Sequence, residues 1–233
     1  MTQGRYLAEA IATFALVLFG AGTVLLNGSF GSVGVIGIAL ATGLTIIAMT
    51  YAIYHISGAH INPAITIGLW ASKRLDSVTA ILYIIAQLIG AAAAGVVFSQ
   101  LFAGSPAALN LGTPSLAANY PISSGIVLEA ILTFFLMFTF FAATVDKRSQ
   151  LTPLAFALAI GSVVIIANLF AYNVTGAAIN PARAFGPALA SQTWENHLVY
   201  WIGPIVGAIV AAWVYENTFI AERRPRPSRS YRR

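Results

Sequence analysis

Six long apolar runs restrict what this chain can fold into. A helix crosses the hydrocarbon core of a bilayer with roughly 20 apolar residues, and it satisfies its own backbone hydrogen bonds in lipid. The runs cover residues 6–26, 33–54, 77–102, 122–145, 153–171 and 198–219. This pattern predicts an all-α membrane protein with six transmembrane helices.

Composition excludes a soluble domain. Charged residues make up only 8% of the chain and hydrophobic residues 58%, whereas soluble domains carry about 25% charged residues. Because the chain contains no cysteine, disulfides and thiolate chemistry are excluded as well.

The positions of the cations predict the topology. With six crossings, every Lys and Arg except Arg183 falls on one side of the membrane. The others are Arg5, Lys73, Arg74, Lys147, Arg148 and the arginines of residues 221–233. Cytoplasmic loops carry an excess of Lys and Arg, so both termini are expected on the cytoplasmic side. The membrane is expected to be the cell membrane (inner or plasma). This distribution is not typical of a nucleic-acid footprint, and no nucleic-acid partner is expected.

An eight-residue motif occurs twice. Residues 57–64 (SGAHINPA) follow the second apolar run, and residues 175–182 (TGAAINPA) follow the fifth. Each half has three runs, and an odd number places the two halves in opposite orientations. The sequence therefore predicts an inverted 3+3 repeat, with halves at 1–118 and 119–220 and a basic cytoplasmic tail at 221–233.

The duplicated motif contains a helix start. Asn is a favoured N-cap and Pro is favoured at the first helical position, so one copy alone would be an ordinary helix start. The apolar segments that follow, 65–71 and 184–190, are too short to cross the membrane. They predict two re-entrant half-helices whose positive N-terminal dipoles meet near the midplane and oppose cations. The motif residues are Asn62, Pro63, Ala64, Asn180, Pro181 and Ala182.

These motifs, together with the ExxxT pattern at Glu9 and Glu129, closely resemble the aquaporin or major intrinsic protein family, which contains water channels and glycerol facilitators. The resemblance covers the chain except for the tail. It implies a right-handed helical bundle that assembles as a homotetramer, with one pore in each subunit. It also implies a passive channel for water or small neutral solutes, with one constriction at the paired Asn-Pro-Ala motifs and an outer selectivity filter of four residues.

Arg183 directly follows the second Asn-Pro-Ala and matches the filter arginine of the family. A lone Arg at membrane depth is costly, so it should face a water-filled cavity and have a functional role. The alternative is a structural Arg that pairs with an acid or with backbone carbonyls.

Counting from the motifs gives the other three filter positions as Thr42, Ala177 and Asn168. The last assumes a match without gaps, and a slip of one residue would place Leu169 or Ala167 there. Thr42 and Asn168 have an alternative role, because polar side chains also form hydrogen bonds between membrane helices.

The filter and the scaffold predict different solutes. Water channels resemble one another in having Phe and His where this chain has Thr42 and Ala177, which are smaller and indicate a wider filter. Ala184 replaces the Asp typical of glycerol facilitators, and Tyr200-Trp201 resembles the water-channel branch. The expectation is a water channel that also admits glycerol, urea, ammonia or peroxide. The alternative is a facilitator for glycerol, another polyol or a metalloid hydroxide.

Four further polar residues have competing interpretations. Glu9 and Glu129 lie within predicted helices, where an acid is a functional candidate by default. Their symmetric positions instead favour a structural role as acceptors for backbone donors of the re-entrant loops. His55 and His60 flank the first loop and are candidates for lining the cytoplasmic vestibule, with packing of the loop as the alternative.

Two other classes of function are compatible with parts of the pattern. An ion-coupled secondary transporter also uses inverted repeats, but Glu9 and Glu129 are the only candidates for its midplane carboxylates. An enzyme is not expected, because the chain has no HExxH, no GxSxG and no acid pair beside a nucleophile. No cofactor and no metal site are predicted.

Overall fold

The computed structural model describes residues 3–31, 33–103, 110–149 and 151–220, and this part of the chain is all-α. Two short helices, α3 (Pro63–Ala71) and α7 (Pro181–Ser191), follow the second and the fifth long helix. The long helices are α1 (Gln3–Phe30), α2 (Gly34–Ser57), α4 (Ser77–Leu101), α5 (Ile122–Val145), α6 (Pro153–Thr175) and α8 (Val199–Ile220). The predicted tail, 221–233, lies outside the described residues.

The prediction of six transmembrane helices and two half-helices is confirmed. The short helices have 9 and 11 residues, or about 14 and 17 Å, which is half the thickness of the hydrocarbon core. Helix α1 extends beyond the predicted run at both ends. At its C-terminal end Ser29 donates to the Leu25 carbonyl at 2.8 Å, so polar residues that hydropathy alone leaves out continue the helix.

Helix starts follow local sequence. The Asp76 carboxylate accepts from the Thr79 amide at 2.9 Å and caps α4. The Thr152 hydroxyl accepts from the Ala155 amide at 3.2 Å and caps α6, where Pro153 occupies the first helical position. Both caps satisfy amides that have no partner within the helix.

In the part of the chain that the structure describes, three π-helical segments interrupt or end the long helices, at Leu16–Ala21, Phe141–Val145 and Tyr215–Ile220. Where α5 and α8 end, the Tyr215 hydroxyl donates to Asp146 at 3.1 Å, and Arg148 forms an ion pair with the same carboxylate. The side-chain hydrogen bonds from Arg148 hold the pKa of Asp146 below its usual value. This cluster joins the loop after α5 to the end of α8.

The helices pack with the symmetry of the inverted repeat. Helix α1 packs against α4 as α5 packs against α8, and α2 contacts its counterpart α6. Each half-helix packs on the third helix of the other half, so α7 lies against α4 and α3 against α8. The two halves therefore interlock and form one bundle.

Glycines at matching positions permit the closest helix contacts. A Cβ at Gly90 of α4 would overlap the Ala10 carbonyl of α1, and a Cβ at Gly207 of α8 would overlap the Ala130 carbonyl of α5. Small residues at such contacts let membrane helices approach to backbone distance. Since the obstacle is backbone rather than a flexible side chain, a larger residue cannot be accommodated locally.

Replacing Gly90 with Ala should therefore separate α4 from α1. We expect Gly90→Ala to destabilise the protein by about 1–3 kcal/mol, as overpacking does, and to lower its thermal unfolding midpoint in detergent. The control is Gly28→Ala, because a Cβ at Gly28 meets no atom within 4 Å and Ala has the higher helix propensity. Equal midpoints for the two variants would contradict the packing argument.

Candidate pore

The two loops that precede the half-helices have the same backbone conformation. Helix α2 ends at Ser57 and α6 ends at Thr175, each followed by a glycine in the left-handed region. Two non-glycine residues of each loop also have positive φ. The six left-handed residues are Gly58, Ala59, Ile61, Gly176, Ala177 and Ile179. Such conformations cost free energy and persist only where surrounding contacts impose them.

Glu9 imposes the conformation of the first loop. Its Oε1 accepts from the Ser57 hydroxyl at 2.7 Å and the His60 amide at 2.9 Å. Its Oε2 accepts from the Ile61 amide at 2.7 Å and from Gln87 Nε2 at 2.8 Å. Glu9 is fully buried, and a buried carboxylate is tolerated when hydrogen bonds of this kind compensate it.

Glu129 holds the second loop in the same way, with one donor fewer. It accepts from the Thr175 hydroxyl at 2.7 Å, the Ala178 amide at 3.0 Å and the Ile179 amide at 2.7 Å. The position that matches Gln87 is Pro204, whose ring offers no donor. The two halves thus share the arrangement but not the number of hydrogen bonds.

The same hydrogen bonds orient the loop carbonyls. In a trans peptide the C=O points opposite to the N–H, and no cis peptide occurs in the described residues. Because the His60 and Ile61 amides point to Glu9, the carbonyls of Ala59 and His60 point away from it, toward the cavity that both residues line. The carbonyls of Ala177 and Ala178 follow the same rule. Each loop presents a short row of acceptors to the cavity.

The Asn side chains of the two motifs join the loops at the centre. Asn62 Nδ2 donates to the Ile179 carbonyl at 2.8 Å, and Asn180 Nδ2 donates to the Ile61 carbonyl at 2.9 Å. Each Oδ1 accepts an amide of its own half-helix, from Ala64 at 2.9 Å and from Ala182 at 3.0 Å. An amide group has two N–H donors, so each Asn retains one for a molecule in the cavity.

A narrow cavity runs past these two side chains. Its walls opposite the loops come from two stripes at a spacing of four residues, which one face of a helix presents. The stripes are Thr42, Ile46 and Thr50 on α2, and Ile160, Val164 and Asn168 on α6. The cavity therefore has polar loop atoms on one side, and three apolar and three polar side chains on the other.

The four residues predicted as a filter line this same cavity. Thr42 donates to the Ile38 carbonyl at 2.8 Å and Asn168 to the Val164 carbonyl at 2.9 Å, so neither bridges to another helix. Each keeps polar atoms free for the cavity. Of the three candidates on α6, Asn168 lines the cavity, whereas Leu169 is 49% exposed on the outer surface and Ala167 is buried outside the cavity wall.

Arg183 lies between the central cavity and a second one at the mouth, which Tyr172 and Asn173 also line. Its guanidinium donates to the Gly112 carbonyl at 2.9 Å, and no acid pairs with it among the described residues. Gly112 has a φ of +76° and lies where a Cβ would overlap the Ala21 carbonyl. The loop before α5 therefore fixes the position of Arg183, and further N–H groups remain for solutes.

His60 occupies the corresponding position at the opposite end. It lines both the central cavity and a third cavity at the other mouth, bordered by Tyr54, Arg74 and Lys147. Its Nδ1 lies 3.1 Å from the Thr66 hydroxyl. His55, the other vestibule candidate, is exposed and lines neither cavity, so the structure does not place it at the mouth. Tyr54 faces the mouth, and the next residue of a helix is rotated by about 100°.

Sequence reasoning missed several residues that shape the cavity. The Thr50 hydroxyl lines it and has no hydrogen-bond partner among the described residues; its position eight residues after Thr42, on the same face of α2, could have indicated it. Tyr83 and Tyr200 donate to the carbonyls of Ser57 and Thr175, both at 2.9 Å. Their matching positions in the two halves were a detectable signal, since each lies four residues before the Gln87 or Pro204 position.

A family model for the major intrinsic proteins matches residues 2–215. The chain belongs to this family. Its members with similar sequences include aquaporin-4 of Mus musculus, 41% identical over 216 residues that cover 91% of this chain, and aquaporin TIP4-1 of Zea mays, 39% identical over 230 residues that cover 95% of it.

The coverage of these relatives differs. The chain spans 66% of the length of the mouse aquaporin-4 and 88% of the maize protein. The X-ray structure of the aquaglyceroporin from Plasmodium falciparum superposes with a TM-score of 0.82 at 23% identity, covering 94% of this chain and 97% of that one. At this identity the likeness shows a shared fold.

The carboxylate that holds the second loop provides a test of the site. In Glu129→Gln one oxygen becomes an NH₂ group, which cannot accept from the loop amides. We expect a loss of about 1–3 kcal/mol or more, the cost of leaving buried donors unpaired, seen as a lower thermal midpoint in detergent. The control, Glu195→Gln, changes an exposed loop acid and should leave the midpoint unchanged. A stable Glu129→Gln would show that the loop keeps its conformation without the carboxylate.

Proposed function

We propose that this chain is a passive transmembrane channel for water and small neutral solutes that excludes ions and protons. The observation that supports the proposal is the central cavity, at which two half-helix N-termini meet from opposite directions and each presents an Asn donor. The residues in these roles are those of the two Asn-Pro-Ala motifs, with Thr42, Asn168, Ala177 and Arg183 as the filter.

Passage of a neutral molecule needs hydrogen-bond exchange without tight binding. Asn62 and Asn180 offer donors at the centre, and the carbonyls of the two loops offer acceptors on either side of it. On the opposite wall Ile46, Ile160 and Val164 offer no hydrogen-bond partner, whereas Thr42, Thr50 and Asn168 do. A solute therefore loses some hydrogen bonds to water, gains only part of them back at each point, and moves on. Multiple weak sites of this kind favour conduction.

Exclusion of cations has two sources. The N-terminus of a helix carries about half a positive charge, and the N-termini of α3 and α7 meet at the cavity. Arg183 adds a full positive charge at one mouth, 4% exposed and without an acidic partner in the part of the chain described. Together they raise a barrier to cations and hydronium.

The filter favours a second, overlapping function. Two of its four residues, Thr42 and Ala177, have small side chains, so the opening beside Arg183 is wider than Phe and His would leave. We propose that glycerol, urea, ammonia or peroxide pass with water; a facilitator with glycerol or a metalloid hydroxide as its main substrate is the alternative.

A coupled transporter is disfavoured by the saturation of its only candidate carboxylates. Glu9 accepts four hydrogen bonds and Glu129 accepts three, all from the protein. An ion that bound either group would have to displace loop amides and collapse the cavity wall.

The assembly and topology are also part of the proposal. Arg74 and Lys147 lie at the mouth beside His60, which supports cytoplasmic termini by the positive-inside rule. The family resemblance supports a homotetramer with one pore in each subunit, in the cell membrane. Residues 1–118 and 119–220 would be its two inverted repeats.

A bulky residue in the filter tests the solute range. We expect Thr42→Phe to lower glycerol and urea permeability about tenfold, equivalent to a barrier increase of ~1.4 kcal/mol, while water flow persists. Stopped-flow light scattering on proteoliposomes measures all three fluxes. Leu44→Phe is the control, because Leu44 lies on the same helix and is 55% exposed on its outer side. Loss of water flow with retained glycerol flow would contradict the filter assignment.

Removal of the filter cation tests the exclusion of charge. We expect Arg183→Val to raise the proton leak of proteoliposomes, because one of the two proposed sources of the barrier is removed. The leak is recorded with an internal pH-sensitive dye. Arg148→Val removes an Arg that lies outside the three pore cavities and should leave the leak at its original rate. An unchanged leak in Arg183→Val would show that the half-helix dipoles suffice.

A further inference from the structure

A groove distinct from the central cavity lies on the outer surface of the bundle and shares Arg74 with the cavity at the mouth beside His60. It runs between the C-terminal end of α3 and the last turns of α8, with about 1170 Å³ of open space. Its lining combines cations at one end with apolar groups below. The lining residues are Ala71, Ser72, Lys73, Arg74, Ile209, Ala212, Trp213, Glu216 and Asn217.

The turn after α3 brings the two cations together. The Arg74 amide donates to the Leu69 carbonyl at 2.8 Å and the Lys73 amide to the Trp70 carbonyl at 2.9 Å, the hydrogen bonds of a Schellman motif. The left-handed position of this motif is usually Gly, yet here it is Lys73, with a φ of +61°. Among the described residues the Lys73 ammonium has no hydrogen-bond or ion-pair partner, so its charge is available in the groove.

Glu216 holds the Arg74 side chain in place but does not occupy all of its hydrogen-bond donors. It forms an ion pair with Glu216 of α8 at 2.7 Å, through Nε and one terminal nitrogen. Its side chain remains 36% exposed, and its other terminal nitrogen donates no hydrogen bond within the described part of the chain. With Lys73 unpaired, the groove keeps a net positive charge at this end.

The rest of the groove faces lipid. Trp213 is 65% exposed and Ile209 is 37% exposed on a transmembrane helix, so acyl chains contact this surface. Trp residues are enriched where a membrane meets water, and the basic turn is level with the end of α8. A cationic turn therefore lies directly above an apolar wall at the edge of the bilayer.

We propose that this groove binds an anionic phospholipid, with its phosphate between Lys73 and Arg74 and an acyl chain along Ile209 and Trp213. Basic pockets between transmembrane helices on the cytoplasmic side take such head groups. The apolar wall favours a lipid over a soluble anion, because a soluble anion would leave that wall unused. The site is independent of the proposed transport function and would persist in a channel with a blocked pore.

Lipid-dependent stability tests the site. The thermal midpoint of the full chain in neutral detergent is measured against increasing phosphatidylglycerol, with phosphatidylcholine of the same acyl chains as the neutral comparison. We expect phosphatidylglycerol to raise the midpoint more than phosphatidylcholine. Loss of one cation near an anionic membrane surface weakens binding about fivefold. The Lys73→Gln variant should therefore need about five times more phosphatidylglycerol for the same rise in thermal midpoint.

Two variants make the outcome decisive. Lys73→Gly removes the charge at a position whose backbone suits Gly, so it should fold well and still lose the preference for phosphatidylglycerol. Lys147→Gln removes an exposed Lys outside the groove and should keep the preference. The proposal is overturned if Lys73→Gln and Lys73→Gly retain full preference, or if Lys147→Gln loses as much. Equal stabilisation by glycerol phosphate, a head group without chains, would also overturn it in favour of a soluble anion.

Discussion

Two buried carboxylates determine whether the rest of this structure can exist. Half-helices that end inside a membrane need loops at the same depth, and those loops carry backbone groups that lipid cannot satisfy. Glu9 and Glu129 each accept hydrogen bonds from two consecutive loop amides and from the hydroxyl group of the residue that ends the preceding helix. Without these acceptors, the amides of Ile61 and Ile179, both in the left-handed region, would lose the hydrogen bonds that hold them in that conformation.

The polarity of the cavity wall is therefore determined by two carboxylates that lie behind the wall. Since the carboxylates take the amides, the opposite carbonyls turn inward, and the loops become rows of acceptors. The crossed hydrogen bonds of Asn62 and Asn180 then attach each loop to the other, so that the two half-helix starts keep a fixed separation. The lining depends on interactions that a permeating molecule never contacts.

The sequence predicted those features that arise from pattern and duplication. Apolar run length gave the six helices, the repeated motif gave the half-helices, and counting from it reached residues that line one cavity. Features that depend on three-dimensional detail were not accessible. The Gly112 carbonyl that holds Arg183 belongs to a loop without a motif, and the π-helical segments have no distinctive composition. That Tyr54 rather than His55 lines the cavity at the mouth is a detail of the same kind, because adjacent residues on a helix face different directions.

The Gln87 side chain breaks the symmetry of the repeat. It supplies Glu9 with a fourth hydrogen bond and also donates to Thr66 at 3.2 Å, beside His60, whereas Pro204 gives Glu129 nothing. Opening of the first loop must therefore disrupt more interactions than opening of the second. In amide hydrogen exchange the Ile61 N–H would be protected longer than the Ile179 N–H. Two segments that share one design thus differ in rigidity, and the end of the channel nearer Arg183 is the one with more freedom to fluctuate.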